Sequence, residues 1–119
     1  MKTICMMRDV LRALSAFEVT FEEAYKVSLN EAMILCALHE SKKEMTSTNL
    51  AKRTDLSPSH TSKMIRILEE KELIERTLSE SDKRLMFFHL TKTGSKKVKE
   101  LSLEGVEVPE LLKPIFELY

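Results

Sequence analysis

A chain of 119 residues has room for one ordinary hydrophobic core, and its 43% hydrophobic and 32% charged residues, with 2 Gly and 3 Pro, exclude collagenous, low-complexity and largely disordered classes. The formal net charge is zero but unevenly spread: residues 42–99 carry 14 Lys and Arg against 8 Asp and Glu, residues 1–41 carry 4 against 6, and residues 100–119 carry 1 against 5. A basic middle between acidic ends suits a nucleic-acid-binding module on a separate platform, although solvated Lys-rich helix faces would give the same count.

The first predicted helix runs from near Lys2 to Lys26, where Ile4, Met7, Leu11, Leu14, Phe17, Phe21 and Tyr25 recur at spacings of three or four as one apolar stripe. Ser28 is positioned to cap a second helix, with Glu31 three residues on as its capping-box partner. Met33, Ile34, Leu35, Ala37 and Leu38 supply that helix's buried surface, so it is expected to be central. After the polar connector Ser41–Glu44 come two short helices around the turn Asp55-Leu56-Ser57. The first covers Ser47 to Thr54, with Leu50 and Ala51 inward. The second has Ser57 as N-cap, Pro58 at its first position and runs to Lys71. Met64, Ile65 and Leu68 face inward there, while Ser59, His60, Ser62, Lys63 and Arg66 remain outside. A short helix, a three-residue turn and a capped helix with a polar first turn make a helix-turn-helix.

Beyond Leu73 the period changes from 3.6 to 2. Ile74–Leu78 and Leu85–Leu90 read as paired strands, with Ser79–Arg84 as a polar, basic hairpin tip, a wing. Thr91 then caps a helical region that starts basic (Lys92, Lys96, Lys97, Lys99) and gives way to Val98, Leu101, Leu103 and Val106. Gly105 and Pro109 interrupt it. Leu111, Leu112, Ile115, Phe116 and Leu118 form a last apolar cluster, in which Pro109 can start a helix and Pro114 is expected to kink or end one. The fold class expected is mainly α with a small β-hairpin wing: a winged helix-turn-helix over 28–99, with dimerisation helices at 1–27 and 100–119, all in one domain.

The longest apolar run, Ala32 to Leu38, is far short of the roughly 20 residues that span a bilayer. Arg8 and Asp9 break the stretch where the apolar core of a signal peptide would lie. A cytoplasmic protein with no membrane partner is expected. Cys5 and Cys36 make no disulfide scaffold, and His39, His60 and His89 share no ligand spacing, so neither metal nor cofactor is expected. No nucleophile–base arrangement and no Gly-rich phosphate loop is present, which argues against an enzyme.

The wing carries Asp82-Lys83-Arg84 followed, after five residues, by Leu90-Thr91-x-x-Gly94. Together with Asn49-Leu50-Ala51-Lys52-Arg53, Leu56-Ser57-Pro58-Ser59 and Arg66–Lys71, this resembles the multiple antibiotic resistance regulator (MarR) family of bacterial transcription factors, in detail over about residues 28–100. The resemblance implies a homodimer whose terminal helices interleave, and recognition helices in successive major grooves of a pseudo-palindromic operator. It implies that Arg84 reaches the minor groove and Asp82 orients the wing. Any small-molecule effector, of unknown identity, would act at the junction of the dimer helices and the winged domain. Cys5, near the start of the first helix, becomes a candidate redox sensor by the same likeness. The chain departs from the family pattern at Glu72, where Gly is common, and at Thr61, where an inward aliphatic residue is usual.

The candidate DNA-binding residues are Ser47, Ser57, Ser59, His60, Ser62, Lys63, Arg66, Lys83 and Arg84. The function expected is sequence-specific transcriptional regulation on double-stranded DNA, with repression as the expected sense. The alternative of a different class is a winged helix used only for protein interaction, since fold does not fix function.

Overall fold

In the computed structural model of the chain, residues 2–41, 44–101 and 106–117 are described. They fall into two units, Met1–Leu29 with Leu101–Tyr119, and Asn30–Glu100. The first unit contains α1 (Lys2–Tyr25) and a terminal helical turn, α6 (Lys113–Phe116); the second contains α2 (Leu29–Glu40, from its second residue), α3 (Ser47–Thr54), α4 (Pro58–Glu70), β1 (Ile74–Leu78), β2 (Met86–Leu90) and α5 (Lys92–Glu100).

In the first unit, the stripe on α1 divides in two. Phe17 and Phe21 are buried and stack as tilted rings with Tyr25, at 6.1 and 5.0 Å between centroids. Ile4, Met7 and Leu11 are exposed, at 71%, 57% and 62%. The helix ends where Lys26 adopts a left-handed conformation with its N–H on the Glu22 carbonyl. Pro114 corrects an expectation: it stands at the start of α6, where its missing N–H costs nothing, and so begins a helical turn instead of ending one. The turn before it is made by the Pro109 carbonyl, which accepts from the Leu112 and Lys113 N–H groups. Leu112 and Val106 are buried, whereas Leu111 and Ile115 are exposed. Leu103, Gly105 and Leu118 lie outside the described residues, as does the Phe116 side chain.

The core of the second unit is built from Ile34, Leu35, Leu50, Ile65, Leu68, Leu73, Ile74 and Phe88. Met33 was expected among the buried residues of α2 but is 41% exposed. It shares an outward stripe with Cys36 and Glu40, and Glu40 pairs with Arg53 of α3 at 2.9 Å. Glu31, placed by sequence in a capping box, is 4% exposed and its Oε1 accepts from Lys71 Nζ at 2.6 Å, so α2 is joined to the end of α4. Met45, which carries no strand signal, extends the hairpin on the β2 side: its carbonyl accepts from the Phe88 N–H at 2.9 Å.

One junction ties α4, both strands and α5 together. The chain leaves α4 through Glu72, whose φ of 60° is left-handed, which a glycine would adopt freely. Thr91 Oγ1 donates to the Glu72 carbonyl (2.7 Å), its N–H donates to the Leu73 carbonyl (3.1 Å), and the same Oγ1 accepts from the Gly94 N–H (2.9 Å). A Cβ on Gly94 would stand 1.9 Å from the Leu73 carbonyl oxygen. The glycine of the Leu90-Thr91-x-x-Gly94 string is therefore a requirement for close approach.

Gly94→Ala is expected to destabilise the chain by about 1–3 kcal/mol through this overlap, read as a lower urea midpoint. Glu72→Gly relieves the left-handed strain against a larger unfolded-state entropy, and a gain of about 0.5 kcal/mol is expected in the same measurement.

Candidate nucleic-acid interface

Each helix of the helix-turn-helix starts with a side-chain cap. Thr46 Oγ1 accepts from the Asn49 N–H (3.1 Å) and Asn49 Oδ1 accepts from the Thr46 N–H (3.2 Å), a reciprocal capping box that begins α3 at Ser47. Asp55 turns the chain with a φ of 59°, a conformation Asp tolerates better than most residues. Ser57 then caps α4 by accepting from the His60 N–H at 3.2 Å, with Pro58 following it. The Ser57 hydroxyl hydrogen is left to donate outward.

The four buried residues of α4 are Thr61, Met64, Ile65 and Leu68, at the i, i+3, i+4, i+7 spacing of one face. The other face presents Ser59, Ser62, Lys63 and Arg66 to solvent, with His60 half-buried at its edge. Thr61 has no exposed surface, and its Oγ1 is buried with no hydrogen-bond partner. A hydroxyl thus occupies a site that suits an aliphatic side chain.

The wing is an antiparallel hairpin with Ile74 opposite Leu90, Arg76 opposite Phe88 and Leu78 opposite Met86. Leu85, expected in the second strand, closes the tip instead: its carbonyl accepts from the Ser79 N–H (3.0 Å) and its N–H donates to the Asp82 carbonyl (2.9 Å). Asp82 Oδ1 accepts from both the backbone N–H (3.0 Å) and Nε (3.2 Å) of Arg84, and Ser79 Oγ accepts from the Asp82 N–H (3.2 Å). The Arg84 side chain remains 91% exposed. An ion pair so open adds little to stability.

Between α4, the start of α3 and the wing lies a cleft of ≈ 430 Å³. Of the residues singled out from the sequence, Ser47, Ser62, Arg66 and Arg84 line it together; Ser57, Ser59, His60, Lys63 and Lys83 do not. Thr48 and Arg76 line it too and were not singled out. Arg76 could have been found from strand alternation, which puts it on the same face as the buried Ile74. Arg76 Nε donates to Glu69 Oε2 at 2.6 Å and its Nη2 donates to Glu69 Oε1, and the guanidinium carbon stands 5.4 Å from the centre of the Phe88 ring. Hydrogen bonding to Glu69 holds Arg76 still more firmly protonated. Three guanidinium groups against two carboxylates, Glu69 on Arg76 and Asp82 on Arg84, beside the N-terminus of α3, make a cleft with an excess of positive charge, suited to anionic oxygens.

Cys5 is exposed on α1, and Cys36 is half-buried on α2 with its thiol pKa raised by desolvation and then by Glu40. Among the described residues, no group of three or more His, Cys, Asp or Glu is arranged to hold a metal ion, and no helix is long and apolar enough to cross a membrane.

A capped helix, a left-handed turn, a second helix with a polar outer face and a two-stranded hairpin with a basic tip define a winged helix-turn-helix protein. The family model of the MarR family matches residues 27–86, half of the chain, and the chain belongs to that family. The fold is similar to that of Staphylococcus aureus MepR in its DNA complex, at 23% identity over 80% of this chain and 77% of that one, with a TM-score of 0.63. It is also similar to a MepR-like protein complexed with pseudoligands (22% identity, 98% and 88% covered, TM-score 0.75). A mutant of Escherichia coli MarR complexed with operator DNA is a third (19% identity, 83% and 72% covered, TM-score 0.69). Among curated proteins, none matches the sequence.

Thr61→Val removes the orphaned hydroxyl without changing the shape of the side chain, and is expected to raise stability by about 1 kcal/mol in urea denaturation. A loss of stability would mean that the hydroxyl is satisfied in solution.

Proposed function

We propose that the chain is a sequence-specific DNA-binding transcriptional regulator that acts as a homodimer on a pseudo-palindromic operator. The observation that carries this reading is the cleft in which the outer face of α4 (Ser62, Arg66), the start of α3 (Ser47) and the wing tip (Arg84) meet. The outer face of α4 enters the major groove, where Ser59, His60, Ser62 and Lys63 meet base edges and phosphates. Ser47, Ser57 and Arg66 hold the backbone. Arg84 reaches the minor groove, whose negative potential is highest where it is narrow, with Lys83 beside it. Asp82 would repel phosphate by charge; its contribution is the aim of Arg84.

Dimerisation is supported by the first half of α1, where Ile4, Met7 and Leu11 stay exposed in the single chain. Such a stripe calls for a partner surface, and a second copy supplies one with the two-fold symmetry a palindrome demands. A ligand with different affinity for two separations of the recognition helices would then regulate binding.

Gel shifts test the DNA reading. The protein is expected to select a duplex from a random pool, with affinity falling steeply between two salt concentrations. Arg84→Ala should weaken binding most on operators with A·T-rich flanks, and Asp82→Ala should weaken it although it removes a negative charge. If Arg84→Ala leaves affinity and salt slope unchanged, the wing is not a DNA-binding element and a protein-interaction module is the better reading. Sedimentation is expected to show twice the chain mass of 13.8 kDa at micromolar concentration; a clean monomer would remove the homodimer.

A further inference from the structure

The wing and the recognition helix must engage DNA at the same time, yet they are joined through a turn of only three residues, Lys71–Leu73. Each strand of the wing is five residues long, so the tip is roughly 17 Å from that turn. A rotation of about 10° at the turn would move the tip by about 3 Å, half the roughly 6 Å width of a minor groove. The junction at Thr91 and Gly94 fixes the base of this lever. Part-way along it, on the side facing α4, stands Arg76.

We propose that Arg76 is a positioning residue: clamped by Glu69 of α4 and seated on the Phe88 ring, it sets the angle between recognition helix and wing, and so determines whether both can engage one operator. This rests on the DNA-binding reading above. Three observations converge. The contact with Glu69 is two-pronged, Nε to Oε2 and Nη2 to Oε1, a geometry that resists rotation about either bond, as a single lysine contact would not. The ring beneath it is 4% exposed and belongs to the residue whose N–H is tied to Met45, so the clamp is referred to the segment that leads into α3 as well. The pair is also partly open, with 49% and 23% of the two side chains exposed, where an ion pair contributes little to folding. Its consequence is angular.

A rival role for Arg76 is direct phosphate binding, because it lines the same cleft as Arg66 and Arg84. The two roles predict opposite signs for Glu69→Gln. A positioning clamp loses its second prong and binding weakens; a phosphate ligand is released from a competing carboxylate and binding tightens.

The test uses the full chain and the duplex that the wild-type protein selects. Arg76→Lys and Glu69→Gln are each expected to weaken binding roughly tenfold, the low end of one lost groove contact, while the urea midpoint changes little. The salt slope of Glu69→Gln should equal that of wild type, whereas a phosphate ligand freed from its carboxylate would steepen it by about 0.9. Unchanged or tighter binding by Glu69→Gln overturns the proposal. If the wild-type protein selects no duplex, the DNA reading fails separately, and a distance measurement decides the clamp. Spin labels at Ser59 and Lys83, in a Cys5→Ser, Cys36→Ala chain, should show a broader distance distribution when Arg76→Met is added. An unchanged width overturns the clamp whatever the DNA result.

Discussion

The Leu73 carbonyl is the point on which the winged unit turns. It accepts from the Thr91 N–H and lies so close to Gly94 that no side chain can stand between them. The residue before it is held in a left-handed conformation by a second bond, from Thr91 Oγ1 to the Glu72 carbonyl. These contacts join the end of α4, the start of β1, the end of β2 and the first turn of α5 within a few ångströms. Backbone groups and one hydroxyl do this, with no large side chain involved. The hydrophobic core around Leu68, Leu73 and Phe88 makes the unit stable. Directional bonds at the junction fix the base from which the wing leaves.

Much of this was legible in the sequence where local rules dominate. Ser57-Pro58 marks the start of α4 because a cap and a proline are both statements about free N–H groups, which need no tertiary information. The two strands follow from alternation, and Thr91 reads as the cap of the helix after them, whereas the close approach at Gly94 shows only in the fold. Long-range partners were not legible. Glu31 sits at a position that suits a capping box, so nothing local discloses that Lys71, forty residues on, takes one of its carboxylate oxygens. Met45 extends the sheet through a single bridge, too short to produce a period. Pro114 is ambiguous in sequence because proline is equally at home ending one helix and beginning the next. Met33 looks buried in sequence because α2 is so apolar that the sequence alone does not distinguish its outer stripe.

The candidate interface divides along the same line. The outward residues of α4 follow from helical spacing once its inward face is known. Arg84 follows from its place in the wing string. That Ser47, Arg66 and Arg84 line one cleft depends on how the hairpin folds back toward α4, and that depends on the junction and on Arg76. Charge segregation points the same way at lower resolution: the excess of basic residues lies in the segment that holds α3, α4 and the wing. Within it, several cations are already matched, Arg53 by Glu40, Lys71 by Glu31 and Arg76 by Glu69. Arg66 and Lys63 stand on the outer face of α4, and the Arg84 side chain, in contact with Asp82, is 91% exposed.

The strand register carries a further consequence for how such a wing can vary. Ile74, Arg76 and Leu78 lie on one face of β1 because side chains alternate, and a slip of one residue in the pairing would turn all three to the other face. Insertions or deletions within the strands are therefore barred, since they would expose Ile74 and part Arg76 from Glu69. The segment Ser79–Leu85 is under no such constraint, because its ends are closed by the bond from the Ser79 N–H to the Leu85 carbonyl. Length and charge can change there while the ladder below stays in step. The wing is thus a fixed stem with an exchangeable tip, and descendants of this chain could alter the reach and charge of that tip without touching the outer face of α4.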